Sequence, residues 1–139
     1  MKPLISVIIC CHNVADFLPD CMTSLANQTI GIEKLQLIFV DDASDDGGET
    51  WNCLLEFESH YPEQVTVVHL DENIRQGGAR NVGLEYAQAD YIGYVDGDDW
   101  LEPAMYERLY QCMKEYNCDI VDCRMMRDYP NGRTYIYHK

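Results

Sequence analysis

The chain has 139 residues, of which 47% are hydrophobic and 24% are charged; this is the composition of one ordinary globular domain and excludes a disordered or fibrous protein. Its formal net charge is -14, from 24 acidic residues against 10 Lys and Arg, so nucleic acid is excluded as a partner by charge repulsion. A phosphate ligand would meet the same repulsion unless a divalent cation lay between it and the protein.

The predicted elements alternate between strands and helices along the chain. The continuous apolar run at 4–10 predicts a strand buried on both faces of a parallel sheet, and the helical spacing of apolar residues at 15–27 predicts a helix. The alternation continues with strands at 35–40, 65–70 and 91–95, and with helices at 49–59, 78–88 and 103–116. Strands joined by helices of this length form βαβ units with right-handed crossovers.

The last part of the chain departs from this alternation. Residues 119–127 and 133–138 are predicted to be strands around the turn Pro130-Asn131-Gly132, which is the pattern of a hairpin. We therefore expect one domain over 1–139, with a three-layer α/β/α architecture and a mostly parallel, mixed central sheet.

The seven cysteines are an odd number with no C-x-x-C pair, and several lie in apolar stretches. This favours reduced thiols and a cytoplasmic location over a disulfide framework. No apolar run is long enough to span a membrane.

Polar residues come directly after each of the first four strands. Ligands of open α/β sheets bind outside the carboxyl ends of the strands, so these positions form the candidate site. They are Cys10-Cys11-His12-Asn13, Asp41-Asp42-Ala43-Ser44-Asp45-Asp46-Gly47, Asp71-Glu72-Asn73 and Asp96-Gly97-Asp98-Asp99.

The segment after the fourth strand places three carboxylates within four residues. Their repulsion is costly unless a cation or hydrogen-bond donors offset it. Mg²⁺ or Mn²⁺ takes one or two protein carboxylates together with phosphate oxygens, so Asp96 and Asp98 are predicted to hold such an ion. The alternative is a solvated turn in which one aspartate caps the next helix.

Asp41 and Asp42 come after the second strand, where a carboxylate can accept a hydrogen bond from a nucleotide base. The alternative is that Asp42 or Ser44 caps the following helix. His12 comes after the first strand, where a lone histidine is more often a packing residue than a ligand.

Gln76-Gly77-Gly78-Ala79 opens the third predicted helix, whose N-terminus would favour an anion. Arg75 and Arg80 could add positive charge near a diphosphate. The alternatives are that the two glycines form a plain turn and that Arg80 pairs with a surface carboxylate.

Taken together, four blocks resemble the family 2 glycosyltransferases of the GT-A (Rossmann-like) fold, in the order and spacing of that family. The blocks lie between residues 5 and 103 and read SVIICCHN, FVDDASDDG, ENIRQGGARNVGLEYA and YIGYVDGDDWLEP. The resemblance implies an inverting transferase of cell-surface polysaccharide biosynthesis. It would use Mg²⁺ or Mn²⁺ to transfer sugar from a nucleoside-diphosphate sugar, commonly UDP-linked, to a glycan or lipid-linked sugar acceptor.

The resemblance also assigns roles to residues. It implies that Asp42 contacts the base and that Asp96 and Asp98 meet ribose, metal and diphosphate. The implied nucleotide-sugar-binding set comprises Cys10, His12, Asn13, Asp41, Asp42, Arg75, Gly78, Arg80, Asp96, Gly97 and Asp98.

The chain departs from the family pattern in two places. Cys10-Cys11-His12-Asn13 stands where Pro-x-Tyr-Asn is usual, and Arg75 stands where glycine is frequent. Members of the family usually continue into an acceptor-binding region that contains the general base. We therefore expect this chain to be a GT-A domain truncated at its C-terminus, from a protein that can work at the cytoplasmic face of a membrane. The base would lie outside the chain, and Asp99 and Asp122 are the candidates within it.

Three rival classes of protein make different demands on the sequence. A phosphoacceptor receiver domain needs paired acidic residues after the first strand, and a dinucleotide oxidoreductase needs G-x-G-x-x-G there; the sequence has neither. A non-catalytic module that binds a nucleotide sugar stays open.

Overall fold

A computed structural model of the chain describes residues 2–123, 125–128 and 134–137. The helices and strands alternate as predicted, with ends that differ from the predicted ones by a few residues. The elements are β1 (Ile5–Cys11), α1 (Leu18–Ala26), β2 (Leu35–Asp41), α2 (Glu49–His60), β3 (Val65–His69), α3 (Arg75–Leu84), β4 (Tyr91–Asp96), α4 (Met105–Tyr116), β5 (Met125–Asp128) and β6 (Thr134–Tyr137). None of the helices in these ranges has the length and apolar character needed to cross a bilayer.

The first four strands form one parallel sheet in the order β3-β2-β1-β4. In the register, Cys11 of β1 lies beside Asp41 of β2, and Cys10 lies beside Asp96 of β4. All seven residues of β1 are buried, as its unbroken apolar pattern predicts for a central strand. The carboxyl ends of β1, β2 and β4 therefore meet at one edge of the sheet.

The C-terminal hairpin differs from the prediction in two respects. β5 and β6 pair antiparallel as expected, but within the described ranges they form a separate two-stranded sheet and do not extend the parallel one. The strand predicted from residue 119 begins only at Met125. Asn117 ends α4 in the left-handed conformation and Ile120 is 86% exposed, so this stretch gains no burial on the sheet. The predicted turn at 130–132 lies outside the described residues.

Helices cover both faces of the parallel sheet. Alternate residues of β1 point to opposite faces, and Val7 and Ile9 pack in the larger core with α1, α2 and α4. Ile8 and Cys10 point the other way, into a smaller core with α3. This confirms the three-layer α/β/α architecture.

The N-cap of α2 is Gly48, and the side chain that bonds the first turn of this helix belongs to Asp46, which is neither of the two residues proposed. The carboxylate of Asp46 accepts hydrogen bonds from the Thr50 amide at 3.2 Å and from the Thr50 hydroxyl. The Thr50 hydroxyl bond is the main reason why the pKa of Asp46 is lowered. The prediction that Asp42 or Ser44 caps this helix was therefore wrong.

Helix α3 approaches the sheet closely at Gly83. A Cβ atom built on Gly83 would lie 2.5 Å from Cγ2 of Ile8 and 3.4 Å from Cγ2 of Val40, and both of these residues are fully buried. A side chain at this position would therefore force the helix away from the sheet. By contrast, a Cβ atom on Gly77 of the same helix meets no atom of the described residues within 4 Å.

We predict that Gly83→Ala destabilises the fold by about 1–2 kcal/mol, because overpacking by about 1–3 kcal/mol outweighs the better helix propensity of alanine. Gly77→Ala is the matched control and should leave stability unchanged or raise it. Urea unfolding followed by circular dichroism measures both. Equal midpoints for the two variants would contradict the close contact between α3 and β1.

Candidate functional site

The candidate site is the edge of the sheet where β1, β2 and β4 end. The loop after β1 contacts the loop after β2 through a pair of hydrogen bonds. Asn13 donates from Nδ2 to Oδ1 of Asp45 at 2.6 Å, and the Asp45 amide donates to Oδ1 of Asn13 at 2.9 Å. Asn13 holds a positive φ of 52°, which asparagine tolerates better than most residues. The predicted convergence of these strand ends is thus seen in the structure.

Asp41 is buried, and its carboxylate is engaged by the protein. Oδ1 accepts hydrogen bonds from the amide and hydroxyl of Ser44, and Oδ2 accepts one from Nδ1 of His69 at 3.2 Å. The side chain is 1% exposed. Asp41 therefore shapes the loop after β2, and its predicted contact with a nucleotide stays a prediction. The contact of His69 with Asp41 was not predicted from the sequence, where the only indication of it was the position of His69 at the end of β3.

Asp42 links the loop after β2 to the segment that leads into α3. Its Oδ1 accepts a hydrogen bond from the Ile74 amide at 2.7 Å, and its own amide donates to the Cys11 carbonyl at 2.8 Å. Only 5% of the residue is exposed. Because Oδ1 is engaged by the backbone, Oδ2 is the oxygen that a ligand N–H could use.

His12 lies on top of this loop. Its Nδ1 donates a hydrogen bond to the Asp42 carbonyl at 2.8 Å, and its side chain remains exposed. The ring is therefore fixed next to Asp42 while it stays exposed, unlike the packing residue that was the alternative.

Gly97 brings the loop after β4 into contact with β1. Its amide donates to the Cys10 carbonyl at 2.9 Å. A Cβ atom here would lie 2.9 Å from Sγ of Cys11 and 3.2 Å from the Cys10 carbonyl oxygen. Glycine is therefore required because no room is left for a side chain between the two strand ends.

Asp96, Asp98 and Asp99 form the acidic cluster, in which one oxygen from each residue lies within 4.8 Å of the others. Burial is the main cause that raises the pKa of Asp99, followed by the charges of Asp98 and Asp96. Burial also raises the pKa of the neighbouring Cys21 thiol to about 12, with further contributions from the three carboxylates. In both groups the negative charge of the acidic cluster adds to the larger effect of burial.

One atom of the acidic cluster stands out. The Asp96 side chain is 34% exposed as a whole, yet its Oδ1 is buried and accepts no hydrogen bond within the described part of the chain. Nη2 of Arg80 lies 3.6 Å away, which is an ion-pair distance but too long for a hydrogen bond. A buried carboxylate oxygen without a donor is costly, and a hard cation that uses oxygen ligands would satisfy it. The residues present therefore fit a Mg²⁺ or Mn²⁺ ion.

Arg80 belongs to α3, and its guanidinium lies 5.4 Å from the centre of the Tyr94 ring of β4. Its partner is thus Asp96 of the acidic cluster. Because Asp96 sits at the candidate site, Arg80 brings positive charge to the place where a diphosphate was predicted. Tyr94 was missed by the sequence reading, although it lies two residues before Asp96 and therefore on the same face of β4.

The N-terminus of α3 lies at Arg75, three residues before the predicted start. The Asn73 side chain accepts a hydrogen bond from the Arg75 amide at 3.0 Å, and the N-cap of the helix is Ile74. Gly78 therefore lies inside the first turn, where a Cβ atom would meet the Ile74 side chain at 3.0 Å. Arg75 is exposed and has a φ of 68°, a conformation that explains why glycine would suit this position.

The Cys10 thiol faces the same region from β1. Its Sγ lies 4.0 Å from the Gln76 carbonyl. Burial raises the pKa of Cys10, although the charge of Arg80 lowers it in part. Cys10 is therefore a neutral wall of the site. Of the two candidate bases, the structure places Asp99 in the acidic cluster, while Asp122 is an exposed residue beyond α4.

The comparisons with known sequences agree on one protein family. The sequence model of glycosyl transferase family 2 matches residues 6–139. The uncharacterized glycosyltransferase EpsJ of Bacillus subtilis (strain 168) is 34% identical over 137 residues, which cover 98% of this chain and 38% of EpsJ. The minor teichoic acid biosynthesis protein GgaB of the same strain is 34% identical over 129 residues, which cover 93% of this chain and 14% of GgaB. The chain thus spans well under half the length of these relatives.

Solved structures confirm the GT-A fold. S. aureus TarS 1-349 in complex with UDP-GlcNAc matches with a TM-score of 0.70 at 25% identity, over 82% of this chain and 32% of that chain. The mannosyltransferase PcManGT of Pyrobaculum calidifontis, in complex with GDP-Man and Mn²⁺, matches with a TM-score of 0.72 at 23% identity, over 81% of this chain and 33% of that chain.

We predict that Asp98→Asn stabilises the fold when a chelator is present, because it removes a negative charge beside Asp99 and so lowers the raised pKa of Asp99. The gain should be on the scale of an exposed charge pair, roughly 0.2–1 kcal/mol, and should shrink in high salt. Chemical unfolding at pH 7 measures it.

The matched control is Glu63→Gln, which removes the same charge from an exposed residue before β3, at the opposite edge of the sheet. If both variants gain equally, the effect reflects net charge alone and the acidic cluster is not strained.

Proposed function

Since the chain belongs to glycosyl transferase family 2, we propose that it is the donor-binding part of an inverting, metal-dependent enzyme that transfers sugar from a UDP-linked donor to an acceptor hydroxyl. The observation that carries this proposal is the buried Asp96 Oδ1, which has no hydrogen bond within the described ranges and lies beside Arg80. An acidic chain with such an atom at its strand ends is suited to a cation and a diphosphate together.

In this proposal the nucleotide base of the donor lies over the loops after β1 and β2. Oδ2 of Asp42 accepts the N3–H of uracil, because Oδ1 is already occupied by the Ile74 amide. The exposed His12 ring and Asn13 border the same place. His12 would supply a flat surface against the base, at the position where the family usually has an aromatic residue.

The diphosphate lies between the acidic cluster and α3. Asp96 and Asp98 would hold the Mg²⁺ or Mn²⁺ ion, with Asp99 as the third carboxylate of the cluster. When bound, such an ion supplies positive charge for a diphosphate whose own charge grows as the sugar leaves. Arg80 adds positive charge from the protein, and the N-terminus of α3, where Arg75 and Gly78 lie, favours an anion through the helix dipole.

The reaction we propose is a single displacement. The acceptor hydroxyl oxygen forms a bond to the anomeric carbon, the bond from that carbon to the diphosphate oxygen breaks, and the hydroxyl proton passes to a carboxylate base. Attack opposite the leaving group inverts the anomeric centre. In this proposal the general base lies beyond this chain, and Asp99 of the acidic cluster is the candidate within it.

The biological setting is a further part of the proposal. The likeness to GgaB, named for minor teichoic acid biosynthesis, supports a role in cell-surface polysaccharide synthesis with a glycan or lipid-linked sugar acceptor. Burial of Cys10, Cys11 and Cys21 as unpaired thiols supports work in the cytoplasm or at the cytoplasmic membrane face.

We predict that Asp42→Asn lowers the affinity for UDP about tenfold or more in the presence of Mn²⁺. The reason is that a hydrogen bond to a charged acceptor contributes about 1.5–3 kcal/mol. Because CDP lacks the N3–H, the substitution should lower the affinity for CDP much less. Calorimetric titration of both nucleotides measures the difference. Equal losses would mean that Asp42 only holds the Ile74 segment and does not read the base.

We also predict that Arg80→Ala lowers the affinity for UDP about tenfold and leaves the affinity for uridine unchanged, because only UDP carries the diphosphate that Arg80 would contact. Arg108→Ala is the control, since Arg108 is an arginine of α4, away from the candidate site. A parallel loss for UDP and uridine would show that Arg80 supports the fold of the site and not the phosphates.

A further inference from the structure

A second feature of the same sheet edge is an open cleft of about 330 Å³ on the α1 face, lined by Asp20, Thr23, Ser24 and Trp100. This volume is near the lower end of the range for ligand pockets, about 300–1,000 Å³. Trp100 comes directly after the acidic cluster, and 53% of its surface is exposed. The exposed apolar surface of the indole is unfavourable in water, and a ligand bound against it would cover that surface.

The loop that carries Trp100 is fixed to α1 by a buried glutamine. Nε2 of Gln28 donates to the Glu102 carbonyl at 2.8 Å and to the Ser24 carbonyl at 3.1 Å. Oε1 of Gln28 accepts from the Tyr106 amide at 3.0 Å. Gln28 is only 4% exposed, so these bonds are shielded from water. The two walls of the cleft are therefore held at a set separation, and the site is preorganised.

The cleft and the proposed nucleotide site lie on opposite faces of the sheet. Arg80 belongs to α3 and Asp42 bonds the Ile74 amide just before it, and α3 packs on the face of Ile8 and Cys10. Helix α1, which lines the cleft, packs on the other face with Ile9 and Cys11. The acidic cluster lies between them, because Sγ of Cys21 in α1 is 4.0 Å from the Asp96 carbonyl. A group in the cleft would thus reach the acidic cluster from the side opposite the nucleotide.

We propose that this cleft is the acceptor subsite, in which an uncharged sugar ring stacks on Trp100 and its hydroxyls bind Asp20, Thr23 and Ser24. The inference rests on the proposed function, because it takes the donor to lie on the α3 side. A sugar ring has an apolar face for the indole and the largely apolar surface of the cleft, and a rim of hydroxyls for the few polar groups there. The carboxylates of Asp20 and of the acidic cluster exclude an anionic ring by repulsion.

The test uses saturation-transfer NMR on the whole chain with a fixed panel: glucose, galactose, mannose, N-acetylglucosamine, N-acetylgalactosamine and, as the anionic member, glucuronate. We expect at least one neutral sugar to bind and glucuronate to bind more weakly at low salt. Trp100→Ala should weaken the bound sugar about two- to tenfold, the scale of one aromatic contact. Trp100→Phe should restore most of the affinity. Tyr116→Ala, which removes a 71% exposed aromatic ring at the end of α4, should have no effect.

Tryptophan fluorescence locates the binding. The chain has two tryptophans, so a Trp51→Phe background leaves Trp100 as the only tryptophan, and the sugar that binds should shift the tryptophan emission. If no neutral sugar of the panel binds, or if binding persists undiminished in Trp100→Ala, the subsite is wrong.

Donor titrations separate this inference from the proposed function. With Mn²⁺ present, Trp100→Ala should bind UDP and UDP-GlcNAc as the unaltered chain does. A loss for UDP-GlcNAc alone would place the donor sugar on Trp100 and overturn the acceptor assignment. If UDP fails to bind at all while sugars still need Trp100, the proposed function fails and the cleft stands only as a carbohydrate site.

Discussion

Repulsion among carboxylates at the ends of parallel strands is the constraint on which the arrangement of this edge depends. The chain carries a net charge of -14, and much of its negative charge is concentrated where β2 and β4 end. Asp41 is satisfied by Ser44 and His69, and Asp46 by Thr50. Asp42 is held through Oδ1 by the Ile74 amide. Asp96 alone has a buried oxygen that no donor of the described residues satisfies.

This contrast gives the acidic residues two different roles. Asp41 and Asp46 keep their loops in place, because their charges meet donors from the same loop or the next helix. The acidic cluster has no such donors among the described residues, and the raised pKa values of Asp99 and Cys21 result from its charge together with burial. Folding therefore leaves unfavourable repulsion between carboxylates at the carboxyl end of β4. A cation bound there would relieve this repulsion, which favours its binding.

Much of this could be predicted from the sequence, since it depends on periodicity and on the residues at the carboxyl end of each strand. The unbroken apolar run of β1 predicted a central strand, and strand-helix alternation predicted that the acidic segments converge. Helix ends were predictable only in part: α2 begins at Glu49 as predicted, but the side chain that bonds its first turn is that of Asp46. Helix α3 begins at Arg75, three residues before its predicted start. Residues 119–123 looked like a strand but gain no burial, and the link from Gln28 to Glu102 joins residues 74 positions apart, a contact that no local pattern encodes.

The central claim is that the acidic cluster binds a divalent cation and thereby makes an acidic sheet edge accept a diphosphate. Calorimetric titration of UDP into the chain, first with EDTA and then across a series of Mn²⁺ concentrations, tests it most directly. The account predicts no measurable binding with EDTA, affinity that rises with Mn²⁺ until the ion saturates, and loss of that rise in Asp96→Asn. UDP affinity that is the same with EDTA and with Mn²⁺ would contradict it.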